Sequence, residues 1–426
     1  VATQFQQLTG FGATLAYVEN DVTQFPNQPA LFDAMFADLG LDVLRLRNRF
    51  GYTGDDSLDS TKSIVSAATS SLGRRPTIIL ASWSPPPSLK ASGATTCRGD
   101  EDTCTMARSA TGSFDYAAYA TYWRDSVDAY SAIGAAPDYV GIQNNPDFVP
   151  SLTEPGEGCK FLPTQGFATV STSVGPRTLA FPGFAQALGA VQARLQGGSK
   201  PPKIIAPEVS TLELLSDYVN WLGAEHFDAI GHHLYGSAPS APDVSALRKA
   251  SELGQSLGHP VFQTEMQADG LGTAVLLHHT LVTEGASAYL HNVLVGPTSA
   301  LAAGLDPLIA LGNDRFSVQP PYHALKHYAA HTDPGWVRVA ADSDHDTLLS
   351  SAWLSPAGDK LAIVLVNSGP DALEVELGLA GTTVSASRVT RTAFLGIERS
   401  ADLGPLPDDR TVQLPGHSMA TIDLVR

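Results

Sequence analysis

The chain has 426 residues, 26 Lys and Arg against 43 Asp and Glu, and a formal charge of −17. Hydrophobic residues make up 43% and charged residues 16%, which excludes a disordered or low-complexity chain. The acidic balance argues against nucleic acid as a partner, because a phosphate-binding surface needs clustered Lys and Arg, and no apolar run is long enough to predict a membrane helix.

Short apolar runs alternate with helical patterns through the first three quarters of the chain. The predicted strands are residues 10–15, 41–48, 77–84, 139–145, 203–208, 229–235, 261–266 and 286–294. They are short and rich in Val, Ile, Leu or aromatics, as expected of strands buried on both faces. Amphipathic helices are predicted between them. Residues 29–40 place Leu31, Met35 and Leu39 on one face and end on Gly40. Residues 114–134 repeat apolar positions at three and four. Residues 184–198 stop at a glycine pair. Eight such alternations predict an α/β fold, a closed (β/α)₈ TIM barrel. An open doubly wound sheet is the alternative. It usually carries a glycine-rich phosphate turn, and the run GFGAT lacks the third glycine and the downstream acid.

The pattern changes near residue 333. Runs at 347–355, 360–368, 372–378, 385–391 and 419–426 are punctuated by Gly, Pro, Asn and Asp. That predicts a small β-sandwich packed tightly on the barrel, since no Ser/Gly linker separates them. The predicted division is residues 1–9 as an N-terminal strand joining the sandwich, 10–332 as the barrel and 333–426 as the sandwich. No internal repeat or charge block is present. The chain opens without a charged start followed by an apolar run, so no signal peptide is read. Cys97 and Cys104 flank a short polar loop and are expected to pair, while Cys159 has no evident partner. No Cys or His spacing suggests a metal, and a metal-dependent barrel hydrolase therefore lacks its ligands.

Functional groups of a parallel barrel collect at the C-terminal strand ends. Those ends carry Arg45 and Arg47 on the second strand, Trp83 on the third, and Asn144 and Asn145 on the fourth. The fifth carries Glu208, the sixth His233 and Tyr235, and the seventh Glu265. Aromatic faces stack on pyranose rings, amides and Arg bind hydroxyls, and a carboxylate can attack an oxocarbenium-like carbon, so the set suits sugar chemistry. Structural readings compete at several positions. Arg45 could cap the barrel through an ion pair, Trp83 could be core, Glu208 could buttress its neighbours, and His232 reads as more structural than His233. Glu265 is the least bland, because an acid ending a buried apolar strand is costly unless paired or working.

Six runs occur in order: QQLTGFGATL (6–15), SWSPPPSLK (82–90), GIQNNPDF (141–148), GHHLYG (231–236), VFQTEMQADG (261–270) and PYHALKHYAAHTDPGWVRV (321–339). Together they resemble glycoside hydrolase family 30, a group of retaining β-glycosidases. The resemblance implies a (β/α)₈ barrel joined to a β-sandwich built from both termini. By position it implies Glu265 as nucleophile and Arg45 as the group keeping it ionised and oriented. Tyr235 and His233 would flank it, Trp83 would wall the nearest subsite, and Asn144 would hold the substrate's 2-hydroxyl. It also implies a secreted enzyme without cofactors, acting on a β-linked polysaccharide and expected to be a monomer.

The chain departs from the family at one position. The family's Gln-Asn-Glu-Pro carries the acid/base glutamate, and here the run is Gln143-Asn144-Asn145-Pro146. An amide cannot deliver a proton to a leaving oxygen. Three readings stay open: a replacement introduced to trap substrate, a natural loss leaving a sugar-binding relic, or recruitment of Asp147, Glu154, Glu157 or Glu208 as another acid. The family acts on xylan, on β-1,6-linked glucans and galactans, and on glucosylceramide. Residues 287–296 and the HHLYG run look more like the xylan-acting members. No Arg occurs over 296–313, so no requirement for an acidic branch is expected.

Overall fold

The computed structural model describes residues 3–52, 58–172, 175–198, 200–379 and 384–426. Eight parallel strands close a barrel. In chain order they are Gly10–Leu15, Val43–Arg47, Thr77–Ala81, Tyr139–Gly141, Lys203–Val209, Ala229–His233, Val261–Met266 and Ala288–Asn292. The eighth pairs back onto the first, Ala288 opposite Gly10. The TIM-barrel expectation therefore holds.

Inward side chains fill the barrel below its mouth. Val43, Ile79, Ile205, Ala229, Phe262, Ala288 and Leu290 pack there as one buried cluster, with Tyr139 against it. This plug makes the barrel a packed core with one open working end. The fourth strand is shorter than predicted. The chain leaves the ladder after Gly141, and Asn145 takes a left-handed backbone with φ of 47°.

The helices follow the predicted faces. Leu31, Met35 and Leu39 are all buried. Their helix, Gln28–Phe32, continues as a wider turn over Asp33–Ala37, closed by the Asp38 N–H on the Asp33 carbonyl at 2.9 Å. Tyr116–Ala132 begins at Asp115, whose carboxylate accepts the Ala118 N–H at 2.9 Å. Phe184–Leu195 ends just before the glycine pair.

A seven-stranded antiparallel sheet packs against the barrel. The chain's first strand, Gln4–Gln7, enters this sheet beside Val337–Val339. Lys360–Asn367 shows the two-residue period of a sheet covered on both sides. Ala362, Val364 and Val366 face the barrel helices, while Ile363 and Leu365 face a second sheet of Leu373–Glu376 and Thr411–Leu414. The helix Pro320–Ala329 forms the seam. His327 bonds Thr421 and Thr392 across it, both at 2.9 Å.

Two features lie outside the predicted pattern. Gly166–Thr172 and Gly175–Phe181 form a hairpin between the fourth and fifth barrel strands. Val295–Pro297, Ile309–Leu311 and Phe316–Val318 form a small sheet after the eighth. Cys97 and Cys104 form a disulfide, with Cα atoms 5.3 Å apart, and Cys159 is a buried thiol. Among the described residues, no helix is long and apolar enough to cross a membrane.

Candidate active site

Strand alternation explains half of the site. On the second strand Val43 points into the plug, so Arg45 two residues later points in as well and ends above it. On the sixth strand Ala229 sets the inward face, which carries Gly231 and then His233. His232 therefore faces outward, where its Nε2 meets Glu284 at 2.6 Å with both side chains fully buried.

Glu208 and Glu265 break that rule. Counting in twos from Phe262 lands on Thr264, and from Ile205 on Pro207. The register shifts at both places, between Pro207 and Val209 on the fifth strand and between the sixth and seventh strands at Glu265. Glu208 also adopts φ of 57°, a left-handed conformation that is unfavourable for a long side chain. Such irregularities turn a side chain to the opposite face. Here they bring both carboxylates to Arg45.

Arg45 is the centre of the site. Its Nη1 donates to Glu265 Oε2 at 2.8 Å, and its Nη2 donates to Glu208 Oε1 at 3.0 Å and Asn144 Oδ1 at 2.6 Å. Its guanidinium lies 4.6 Å from the Trp83 ring centre. Burial disfavours its charge, but Glu208 and Glu265 outweigh that and hold its pKa above the ordinary value. The other Glu265 oxygen, Oε1, accepts from the Tyr235 hydroxyl at 2.9 Å. Tyr235 in turn accepts from Asn292 Nδ2 at 3.1 Å. Burial pushes the Glu265 carboxyl above the usual range; Arg45 and Tyr235 pull it back, and Glu208 adds to the rise.

Asn145 lies beside His233, its Oδ1 at 2.7 Å from Nδ1. Burial, then Arg45 and His232, press the His233 pKa well below its ordinary value, so the ring is neutral. An amide oxygen facing Nδ1 places the ring proton there, and Nε2 is left without a partner. The Asn145 N–H is tied to the Glu208 carbonyl at 3.1 Å. Gln143 is wholly buried and donates to the Trp83 carbonyl at 2.8 Å.

The four other candidate acids have distinct places. Asp147 accepts the Ser210 N–H at 2.9 Å and the Ser210 hydroxyl, which fixes it as a loop staple. Glu154 is exposed on its loop. Glu208 is wholly buried on Arg45. Glu157 alone lines the mouth. Its Oε1 accepts from Arg47 at 3.1 Å and its Oε2 from the Tyr17 hydroxyl at 3.3 Å. Burial outweighs Arg47 and raises its pKa. The strand Gly156–Glu157 is paired with Thr96–Cys97, so the disulfide loop supports it.

Tyr17, Arg47 and Asn292 complete the wall. Arg47 lies 4.1 Å from the centre of the Tyr17 ring, and Tyr17 meets Trp83 edge-on at 6.4 Å. Asn292 ends the eighth strand as Glu265 nearly ends the seventh, so the same end-of-strand rule could have found it. Tyr17 lies past the end of its strand, and nothing in its local sequence marks it. Among the described residues, no group of three or more His, Cys, Asp or Glu is placed to hold a metal ion.

No protein-family model matches the sequence, and no curated protein does. Solved structures match it across its whole length. The glycoside hydrolase family 30 subfamily 8 xylanase Xyn30A from Clostridium acetobutylicum aligns at 20% identity, covering 99% of this chain and 97% of that one with a TM-score of 0.72. A conserved exported protein from Bacteroides fragilis aligns at 16% identity, 99% and 98% coverage and a TM-score of 0.78. The endo-β-1,6-glucanase BT3312 aligns at 13%, 99% and 93% with a TM-score of 0.69. The chain thus shares the complete barrel-and-sandwich fold of family 30 glycoside hydrolase structures at low sequence identity.

Proposed function

We propose that the protein is a secreted, retaining endo-β-glycanase that attacks a β-linked plant cell-wall polysaccharide, xylan foremost, by double displacement. The observation that carries this reading is the Glu265 carboxylate, held on one oxygen by Arg45 and on the other by Tyr235 at the barrel mouth. A buried acid gripped by a cation and a hydroxyl is poised as an ionised nucleophile. The disulfide supports an extracytoplasmic setting. The division into an N-terminal strand over 1–9, a catalytic barrel over 10–332 and a sandwich over 333–426 belongs to the same proposal.

In the first step a Glu265 oxygen bonds to the anomeric carbon and the glycosidic bond breaks towards the leaving oxygen. In the second, water displaces Glu265, and two inversions give net retention. Asn144, facing Arg45, is the residue proposed to meet the 2-hydroxyl. Trp83 and Tyr17 offer ring faces to the sugar.

Asn145 occupies the position from which a proton would come. With its oxygen taken by His233, it offers the cleft an N–H donor and no acid. A positioned acid/base is worth about 10²–10⁴-fold in rate. This chain is therefore proposed to cleave glycosides whose leaving groups depart as stable anions and to turn over unactivated polysaccharide very slowly. That same amide favours a second reading, a carbohydrate-binding protein on an enzyme scaffold.

Product analysis on xylan, β-1,6-glucan and β-galactan, with Asn145→Glu alongside, separates the readings. Xylo-oligosaccharides released by the variant, with the β-anomer formed first in the proton NMR spectrum, are the expected result. Cleavage of β-1,6-glucan alone would move the substrate to that linkage. Xylan binding without hydrolysis in Asn145→Glu would establish the binding protein.

A further inference from the structure

We infer that Glu208 is a positioning residue of this reaction, one that shares Arg45 with Glu265 and so sets how much of the guanidinium's charge the nucleophile receives. The inference rests on the proposed role of Glu265.

Two carboxylates converge on one buried cation. Arg45 Nη1 serves Glu265 at 2.8 Å and Nη2 serves Glu208 at 3.0 Å. Arg45 and Glu208 are fully buried, and Glu265 is 3% exposed. One positive charge cannot fully offset two negative ones there, and like charges in a dry site raise one another's proton affinity. The second Glu208 oxygen, Oε2, is buried without a partner. A side chain at position 141 would collide with that oxygen, so Gly141 is the residue that lets the carboxylate in.

The backbone of Glu208 does a second job. Its left-handed φ turns the side chain inward, and its carbonyl accepts the Asn145 N–H at 3.1 Å. One residue therefore ties the leaving-group side of the cleft to the cation that holds the nucleophile.

Of the other ionisable groups around Glu265, Glu157 is reached only through Tyr17 and is the same in parent and variant, so it cancels in their comparison, and the remaining ones do not change charge in acid. Arg45, from the second strand, stays cationic, while Tyr235, after the sixth strand, and Tyr17, after the first, stay neutral. His233, on the sixth strand, is held neutral. Asn145 does not titrate. An inactivation that needs no proton donor therefore reads the ionisation of Glu265 as Glu208 influences it in the parent, and of Glu265 without that second carboxylate in Glu208→Gln.

The probe is a 2,4-dinitrophenyl 2-deoxy-2-fluoro-β-xylobioside, whose phenolate leaves unprotonated as Glu265 bonds to the anomeric carbon. Inactivation rate is measured against pH for the parent and for Glu208→Gln. The variant's acid limb is expected to move down by about one pH unit, with the plateau rate kept within about tenfold. An unmoved limb, or one moved up, overturns the inference. Should Glu208→Gln not fold, Glu208→Met decides, a variant of similar length that buries no polar group there. In it, the Glu265 carboxyl carbon followed by NMR should titrate at lower pH than in the parent. An identical titration in both proteins overturns the inference. Absence of any label on the parent's Glu265 would instead overturn the proposed function, and the NMR comparison would still test the shared cation.

Discussion

His233 Nδ1 lies 2.7 Å from Asn145 Oδ1, which fixes the amide beyond the tip of the fourth barrel strand with its oxygen occupied. The contact makes a hydrogen-bond donor of a position where a retaining glycosidase needs an acid. Restoring the carboxyl is therefore the most informative single substitution. Asn145→Glu should raise hydrolysis of unactivated xylo-oligosaccharides by about 10²–10⁴-fold. It should change cleavage of a dinitrophenyl glycoside far less, because that leaving group needs no proton. Equal gains on both substrates would contradict the assignment of position 145.

Arg45→Ala should be costly in two ways. It strands Glu208 and Glu265 as buried carboxylates without their cation. Breaking a buried pair in this way typically destabilises by about 3–5 kcal/mol. A urea-unfolding midpoint close to that of the parent at neutral pH would show that the carboxylates do not depend on this cation.

Tyr235→Phe removes the donor to Glu265 Oε1 and leaves Asn292 without its acceptor. A hydrogen bond to a charged group is worth about 1.5–3 kcal/mol, so kcat/KM on an activated glycoside should fall roughly 10- to 150-fold. The fold should survive, since no buried charge loses its counterion. A variant as active as the parent would remove Tyr235 from the site.

The barrel and the sandwich sequence were legible because each carries a period. Buried parallel strands read as apolar runs, and the sheet strands alternate between two covered faces. Arg45 and His233 were legible for the same reason, standing two and four residues from inward plug residues. Glu265 was legible as an acid at a strand end, but its facing was not, since it depends on a register shift between neighbouring strands. Glu208 was read as a possible buttress, and its capture by Arg45 depends on a left-handed backbone that no pattern announces. The Glu157 clamp is assembled by a loop, a disulfide and Tyr17, residues that only the fold brings together. The hairpin of Gly166–Thr172 and Gly175–Phe181 carries no sustained apolar run, and its second strand opens on Gly-Pro, so nothing in its sequence marked it as a strand pair.

Acid should loosen the molecule before its carboxylates are all protonated. Burial lowers His323, at the seam with the sandwich, to about 4, and lowers His291, on the outer face of the eighth barrel strand, to about 4. Both titrate near 6.5 when the chain is unfolded. The unfolded state therefore takes up protons that the folded state refuses. Stability is complete above about pH 6.5 and is lost as the pH falls towards 4. Melting temperatures should drop steadily across that window, and His323→Gln should flatten part of the slope. A melting temperature that holds level from pH 7 to pH 4.5 would contradict this.

The claim that a single carboxylate forms the covalent bond to sugar is open to direct chemical capture. The parent protein is treated with the dinitrophenyl fluoro-xylobioside, digested, and the labelled peptide is sequenced by mass spectrometry. The account predicts one fluoro-xylobiosyl group per chain, carried on Glu265 and absent in Glu265→Gln. A label on Glu157 or Glu208, or one that persists in Glu265→Gln, would contradict it.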